Sequence, residues 1–484
     1  MDFSTLSPQP VWRHFQTLCA SPRASKAEAP LRQALDDWAR SRGLATITDG
    51  AGNLLISKPA SAGRERYPGV IVQGHLDMVC QKNDGTAHDF DRDAITAVLK
   101  DGWLVAENTT LGADNGIGVA LALAVLEADD LDHPPLEVLL TVDEEAGMGG
   151  AQGLAPGLLQ GRRLINLDTE EWGQLYVGCA GGVDVNVSYA TASEPLPTGW
   201  TTVQLTVSGL CGGHSGVDIH LGRGNAIKLL VRALRELPED GWRLSSLSGG
   251  NARNALPREA AALIAVAPEQ LGAIDQAVAA SAATLASEFD GVEKRLSLRL
   301  GEAKAAAATV LSAADQRALL AALNAAPHGV KAMSQQLPGV VETSNSLGVL
   351  TMVDNVVRAN FMVRSLVDSR ALALAHEIAD LFALLGADAV ISDGYPGWTP
   401  ARDSPLLALA QRVYTSEFGA DAALQVIHAG LECGIIGAKY PGLEMISFGP
   451  TIRGAHAPGE RVEVASVEQS WRLLAAILAA LPEA

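Results

Sequence analysis

Gly69-Val-Ile-Val-Gln-Gly-His75-Leu-Asp77 is the stretch from which the fold of this chain can be read. Its branched apolar run lacks the strict alternation of a half-exposed strand, and so predicts a strand buried on both faces of a mostly parallel sheet. At its end stand two polar residues of the kinds that bind metals. The same pairing recurs along the chain: Leu136 to Val142 is followed by Asp143-Glu144-Glu145, Leu164 to Leu167 by Asp168, and Met445 to Phe448, eight residues later, by His456. Between the first two runs, Asn115 to Glu127 is rich in Ala and Leu and of helical length. Strand, crossover helix and strand in that order predict an α/β architecture.

Outward from this core, residues 12 to 43 read as helix in two stretches, one with Trp12, Phe15 and Leu18 and one with Leu31, Leu35 and Trp38, around a polar turn from Ser21 to Lys26. Helical stretches near 403 to 417 and 465 to 481 return to the same α/β pattern. The middle differs. An alternating strand sets Thr202, Gln204 and Thr206 against Val203, Leu205 and Val207, a helix follows near 223 to 236, and an Ala-rich stretch runs from 269 to 325. Strand, turn and strand surround Asn251 to Pro257, and a loosely similar arrangement near 345 to 364 makes a weak internal repeat. The reading is an α+β domain, 188–388, inserted into a first domain formed by 1–187 and 389–484.

Length and composition agree with two domains: 484 residues, 48% of them apolar and 19% charged, form globular cores. The formal charge of -19 repels nucleic acid and anionic membrane surfaces, so neither is expected as a partner. There is no apolar run long enough for a membrane span, and the first residues lack the basic and apolar segments of a secretory signal. A soluble, cytoplasmic protein is expected. Its five cysteines are too widely spaced for a disulfide framework or a zinc knuckle, and read as reduced thiols.

In an open α/β sheet, ligands bind beyond the carboxyl ends of the strands. His75, Glu144, Glu145, Asp168 and His456 should therefore meet at one edge, joined by Asp114 at the start of the 115–127 helix, where the helix dipole favours a carboxylate. Two imidazoles and three carboxylates suit a pair of borderline divalent ions, zinc before others, with one carboxylate bridging. Ions about 3.5–4 Å apart hold and acidify a water and polarise a carbonyl, which is hydrolytic chemistry. In His75-Leu-Asp77 the polar pair shares a face, so Asp77 can fix the ring of His75. Of the neighbours Glu144 and Glu145, one can bind metal while the other acts as base.

The motifs Gly74-His75-Leu76-Asp77-Met78-Val79, Leu111-Gly-Ala-Asp114-Asn115-Gly116, Thr141-Val-Asp-Glu144-Glu145, Asn166-Leu167-Asp168 and Gly454-Ala-His456 resemble those of the co-catalytic zinc peptidases that include carboxypeptidase G, aminoacylase and carnosinase. Val79-Cys-Gln-Lys82, Glu107 to Gly116 and His428-Ala-Gly-Leu-Glu-Cys-Gly434 are most similar to the bacterial aminoacyl-histidine (Xaa-His) dipeptidases. The resemblance runs from about residue 10 to the end of the chain.

It implies that His75 and Asp168 bind one metal, Glu145 and His456 the other, and Asp114 both, that Glu144 is the general base, and that the Asp114-Asn115 peptide bond is cis. The inserted domain becomes a lid. Within it Cys211-Gly-Gly-His214-Ser215-Gly216 matches the segment whose histidine stabilises the oxyanion, in many relatives across a dimer interface, so a homodimer is expected. Asn254 and Arg364 match substrate-gripping positions, Arg364 being suited to a terminal carboxylate, and His428 falls near the active site. Where many relatives have a Gly-Gly-Ser turn this chain reads Glu432-Cys-Gly-Ile435, so no substrate-binding serine carries over. The implied activity is cleavage of Xaa-His dipeptides, carnosine-like ones included, with two zinc ions, or manganese or cobalt. An N-acyl amino acid deacylase or tripeptidase on this scaffold, and a metal-binding relative without catalysis, are the alternatives.

Overall fold

The computed structural model describes residues 3, 5–303, 306–335, 337–392, 394–401 and 403–483. The chain divides into two compact units, one of residues 1–179, 398–426 and 431–484, the other of 180–397 and 427–430.

The first unit is built on an eight-stranded sheet. The apolar runs marked in the sequence form its centre: Leu136–Thr141, Val70–His75, Arg163–Asn166 and Glu444–Ser447 lie side by side and parallel. Every residue of Val70–His75 is buried, because helices cover both faces. Each fully buried Val, Leu or Ile there contributes about 1.5–3 kcal/mol of hydrophobic stabilisation. Antiparallel strands flank the parallel core, Leu54–Lys58 and Ala45–Thr48 on one side and Gln174–Cys179 on the other. Register brings His75 opposite Thr141, Gln73 opposite Asn166, and Ser447 opposite Asn166. The carboxyl ends of the four central strands are therefore level.

The helices fall where the apolar spacing placed them, over Gln9–Cys19, Ala29–Ser41, Ala113–Glu127, Pro405–Phe418 and Val464–Ala480. Trp12, Phe15 and Leu18 are buried, as are Leu31 and Leu35, with Trp38 packed against them. The helix Ala113–Glu127 is apolar all round and buried all round, as a helix inside a core must be. Its regular part begins only after Asp114 and Asn115, whose backbone angles are not helical. Asp114 caps nothing, and its carboxylate is left for other partners.

The second unit carries a nine-stranded antiparallel sheet with helices Ala226–Arg235, Leu271–Glu288, Ala313–Ala325 and Asp368–Ala383. Its seam falls at Ala180 and Gly397, since strand Gly181–Ala190 pairs along its whole length with Val356–Ser365. The alternation read at 202–207 appears as strand Thr201–Ser208, with Leu205 and Val207 fully buried. Both strand–turn–strand segments are antiparallel hairpins, and the second turns at Asp354 and Asn355, each with positive φ. The observed class is α/β with an inserted α+β domain, and the sheet of the first unit is mixed at its margins.

Candidate metal centre

Three strand ends, one helix start and one loop deliver the cluster. His75 closes the strand Val70–His75, Glu144 and Glu145 follow Leu136–Thr141, and Asp168 follows Arg163–Asn166. His456 lies in the loop between the short strands Ile452–Arg453 and Arg461–Glu463. Asp114 presents Oδ1 to His75 Nε2 at 3.2 Å and Oδ2 to His456 Nε2 at 3.3 Å. Asp168 Oδ1 stands 3.2 Å from the same nitrogen of His75, and Glu145 Oε2 stands 3.0 Å from His456 Nε2. Three groups with metal-ligating geometry result, His75–Asp114–Asp168, Asp114–Glu145–His456 and His75–Glu144–Glu145, the first two sharing the carboxylate of Asp114. The Asp114-Asn115 bond is cis.

The donor chemistry fits two cations. Glu145 Oε1 and Asp168 Oδ1 are buried and make no hydrogen bond, a costly state for a carboxylate oxygen unless a cation faces it. The cluster's own protons are badly shared. Burial, together with the charges of Asp114 and Glu145, pushes Asp168 up to about 7 against the pull of His75. Hydrogen bonds to Asp114 and Glu145 raise His456 to about 11. Burial also drives Glu144 well above the usual carboxylate range, with Asp168, Glu432 and Glu145 adding repulsion and His75 opposing. Divalent ions relieve that repulsion, and nitrogen with oxygen donors suits zinc-like metals. The chain thus offers places for two metal ions.

Asp77 organises the cluster from behind. Its backbone oxygen and its Oδ1 lie 3.2 and 3.4 Å from His75 Nδ1. The carboxylate also accepts the N–H of Glu144 at 3.0 Å, the N–H of Glu145 at 3.1 Å and the hydroxyl of Ser25 at 2.7 Å. Despite its burial, these donors hold it well below the ordinary range. The segment after Thr141 is not extended, because Asp143 takes a positive φ and turns the chain. Glu145 still meets His456, while Glu144 lies in the field of His75 and Asp168.

Several contributors escaped the sequence reading. Glu460, buried, accepts the backbone N–H groups of Leu111 at 2.6 Å, Gly112 at 2.8 Å and Asp114 at 3.2 Å, and so holds the loop that carries Asp114. Arg23, also buried, donates to the carbonyls of Leu76 and Asp77 at 3.0 Å and of Gly112 at 2.5 Å. Beneath the site, Glu432 Oε2 accepts from Gln73 Nε2 and Thr141 Oγ1, both at 2.6 Å. Gln73 Oε1 accepts from Asn166, whose own oxygen accepts from Ser447 and from the N–H of Asp168. This buried ladder ties together the four strands that end at the centre. The only signal for it was Gln, Thr, Asn and Ser inside strands otherwise apolar. Gly74 has no room for a side chain because the Asn115 amide occupies that space.

The other four expected residues lie in the second unit. His214 Nδ1 accepts the N–H groups of Gly216 at 3.1 Å and Val217 at 2.9 Å, which leaves the proton of the neutral ring on Nε2. Arg364 Nη2 comes within 3.5 Å of that Nε2, and Arg364 Nη1 donates to the Tyr395 hydroxyl at 2.7 Å. A side chain at Gly216 would strike the carbonyl of His428 and the stem of Arg364, so this glycine lets the three approach. His428 Nε2 bonds Ser344 Oγ at 2.7 Å, and burial with the nearby Arg364, His214 and His220 lowers it to about 3. Asn254 is exposed, and its backbone oxygen accepts the N–H of Ser215 at 2.8 Å. The five cysteines are free, and no helix among the described residues is long and apolar enough to cross a membrane.

Comparison with known proteins agrees with this geometry. A family model described as peptidase family M20/M25/M40 matches residues 71–480. The cytosol non-specific dipeptidase of Escherichia coli K12 is 45% identical over 482 residues, 99% of each chain. The crystal structure of aminoacylhistidine dipeptidase from Vibrio alginolyticus is 43% identical and superposes with a TM-score of 0.89 over 100% of this chain and 99% of that one. Aminopeptidase PepT of Bacillus cereus shares the fold at 16% identity, with a TM-score of 0.57 over 99% of this chain and 100% of that one. The resemblance read from the motifs holds along the whole chain, and this protein belongs to peptidase family M20/M25/M40.

Proposed function

We propose that this protein is a cytoplasmic, zinc-dependent dipeptidase that hydrolyses Xaa-His and related dipeptides. The observation that carries the reading is the shared carboxylate: Asp114 faces His75 with one oxygen and His456 with the other, with Glu144 beside His75. The names of the two most similar dipeptidases described above supply the substrate class and the compartment.

His75 and Asp168 would hold one ion, Glu145 and His456 the other, and Asp114 both. Such ions, when bound, polarise the scissile carbonyl and acidify a water molecule. Glu144 takes the proton from that water and returns it to the departing amine, a task for which burial and neighbouring carboxylates raise its basicity. Asp77 fixes the ring of His75 and the turn that carries Glu144. In the inserted domain, the proton on His214 Nε2 makes it the donor for the developing oxyanion. Arg364 pairs with the substrate's terminal carboxylate, Asn254 and His428 help to hold the peptide, and the protein acts as a homodimer.

Assay of the purified protein against Xaa-His dipeptides, N-acetyl amino acids and tripeptides, with metal content measured on the same sample, tests this. Cleavage of free dipeptides with about two equivalents of metal is expected. Preference for N-acetyl amino acids would replace the reading with a deacylase.

A further inference from the structure

His214 leaves the antiparallel sheet of the second unit on a loop, Gly209 to Gly224, that runs from strand Thr201–Ser208 to helix Ala226–Arg235. Gly209, Gly212, Gly213 and Gly222 within it all take a positive φ. Glycine permits such a path at little steric cost but does nothing to hold it, so the loop depends on its hydrogen bonds for a fixed shape. The tip has its own. Asp218 accepts the N–H of His214 at 2.8 Å and pairs with Arg223 at 3.2 Å, and Arg223 donates to the carbonyl of Gly212 at 2.7 Å. Two backbone bonds stitch the tip to the neighbouring turn: the N–H of Ser215 meets the carbonyl of Asn254, and the N–H of Leu256 that of Gly213, each at 2.8 Å. These contacts set the ring relative to its loop.

The two stems of the loop are joined by a buried carboxylate from far along the chain. Glu293 Oε2 accepts the N–H of Cys211 at 2.6 Å, and its Oε1 accepts the N–H of Gly224 at 2.9 Å, one bond on each side of the loop. The backbone of Glu293 is itself fixed in a turn, donating to the carbonyl of Phe289 at 3.0 Å and accepting the N–H of Leu296 at 3.1 Å. That turn precedes strand Ser297–Glu302, whose Ser297 pairs with Ser208 at the foot of the loop. Two further contacts press the first stem against it. The Cys211 thiol donates to the carbonyl of Val292 at 3.4 Å, and Gly209 passes so near the carbonyl of Arg295 that a side chain there would strike it. Accepting at both ends is what a carboxylate offers, since a glutamine amide accepts at one end only. A buried charge is costly unless hydrogen bonds offset it, and here both of its oxygens serve the loop that carries His214.

We infer that Glu293 is a positioning residue, clasping the two stems so that His214 Nε2 is presented at a fixed place; the inference rests on the oxyanion role proposed for His214. A group misplaced by about 1 Å can lose about 10²-fold in rate. Glu293→Gln leaves one stem without its acceptor, whereas Glu293→Asp keeps both oxygens on a shorter side chain. The test is kcat and KM for alanyl-histidine in wild type, in His214→Ala, and in Glu293→Gln and Glu293→Asp with and without His214→Ala. Metal content and melting temperature are measured for each. Glu293→Gln should lower kcat roughly 10–100-fold, with KM within about threefold and metal content at the wild-type level, and Glu293→Asp should restore part of the loss. In the His214→Ala background no ring is left to misplace, so Glu293→Gln should change kcat by less than about twofold. An unchanged kcat in Glu293→Gln, or the same fractional loss in both backgrounds, overturns the positioning role. Should Glu293→Gln not fold, Glu293→Asp carries the same comparison. His214→Ala at wild-type kcat overturns the oxyanion role instead, and a wild type inactive on alanyl-histidine overturns the dipeptidase reading; either takes the clasp with it.

Discussion

Asp77 Oδ1 accepts the backbone N–H of Glu144 at 3.0 Å, and the same atom lies 3.4 Å from His75 Nδ1. One carboxylate oxygen thus sets both the ring that would hold a metal and the backbone that carries the candidate base.

Glu144→Gln preserves the N–H that Asp77 accepts and removes only the proton acceptor. Metal content should stay at the wild-type level while kcat falls by about 10²–10⁴. Steady-state kinetics with elemental analysis on the same preparation check it, and activity within a few-fold of wild type would sink the assignment.

Asp77→Asn puts an amide where Glu144, Glu145 and Ser25 all donate, so at least one donor loses its partner. The turn should loosen and the His75 ring lose its anchor. Metal affinity should drop roughly 10–100-fold, measured by competition with a chelator of known affinity.

Chelation of the wild type should leave Glu145 Oε1 buried without a partner and Asp168 Oδ1 facing only His75. Ligand linkage predicts a loss of about 2.7 kcal/mol relative to protein at one hundred times the metal Kd. The melting temperature should fall on chelation and recover on adding zinc; a curve that does not move would mean that the cluster binds no ion.

Glu460→Ala strips three backbone N–H groups of the loop Leu111–Asp114 of their acceptor. Each buried N–H left unpaired costs about 1–3 kcal/mol. Loss of stability together with weakened metal binding is expected, by urea titration and metal analysis; stability lost with metal binding intact would show that the loop is not what places Asp114.

Buried His428, held near 3, is neutral in the folded protein, whereas in the unfolded chain it protonates near 6.5. Below pH 6.5 the unfolded state therefore binds the extra proton, so stability falls as pH drops from 6.5 towards 3. At pH 5 the contribution is about 2 kcal/mol. His428→Gln should be less stable than wild type at pH 7.5 yet lose less on acidification, as urea midpoints at pH 7.5 and 5 will show.

Much of the first unit was legible in the sequence because its cues are local. Four apolar runs of strand length, each followed by His, Asp or Glu, are enough to predict a parallel sheet whose ends meet, and the residues named there, from His75 to His456, do converge. The bend at Asp143 was not legible, since a positive φ is uncommon at a non-glycine residue and here the turned backbone meets a partner far away in the chain. Here Glu28 accepts the N–H of Asp143 at 2.9 Å across the fold.

The residues around the centre divide in the same way. The types of the metal-facing residues and their places at strand ends were set by the sequence alone, because periodicity and strand register act over a few residues. Glu460, Arg23, the ladder from Glu432 to Ser447 and the pairing of His428 with Ser344 were decided only by the tertiary structure. Each joins segments far apart in the chain, and a buried polar group takes whichever partner the packed fold brings within hydrogen-bonding distance.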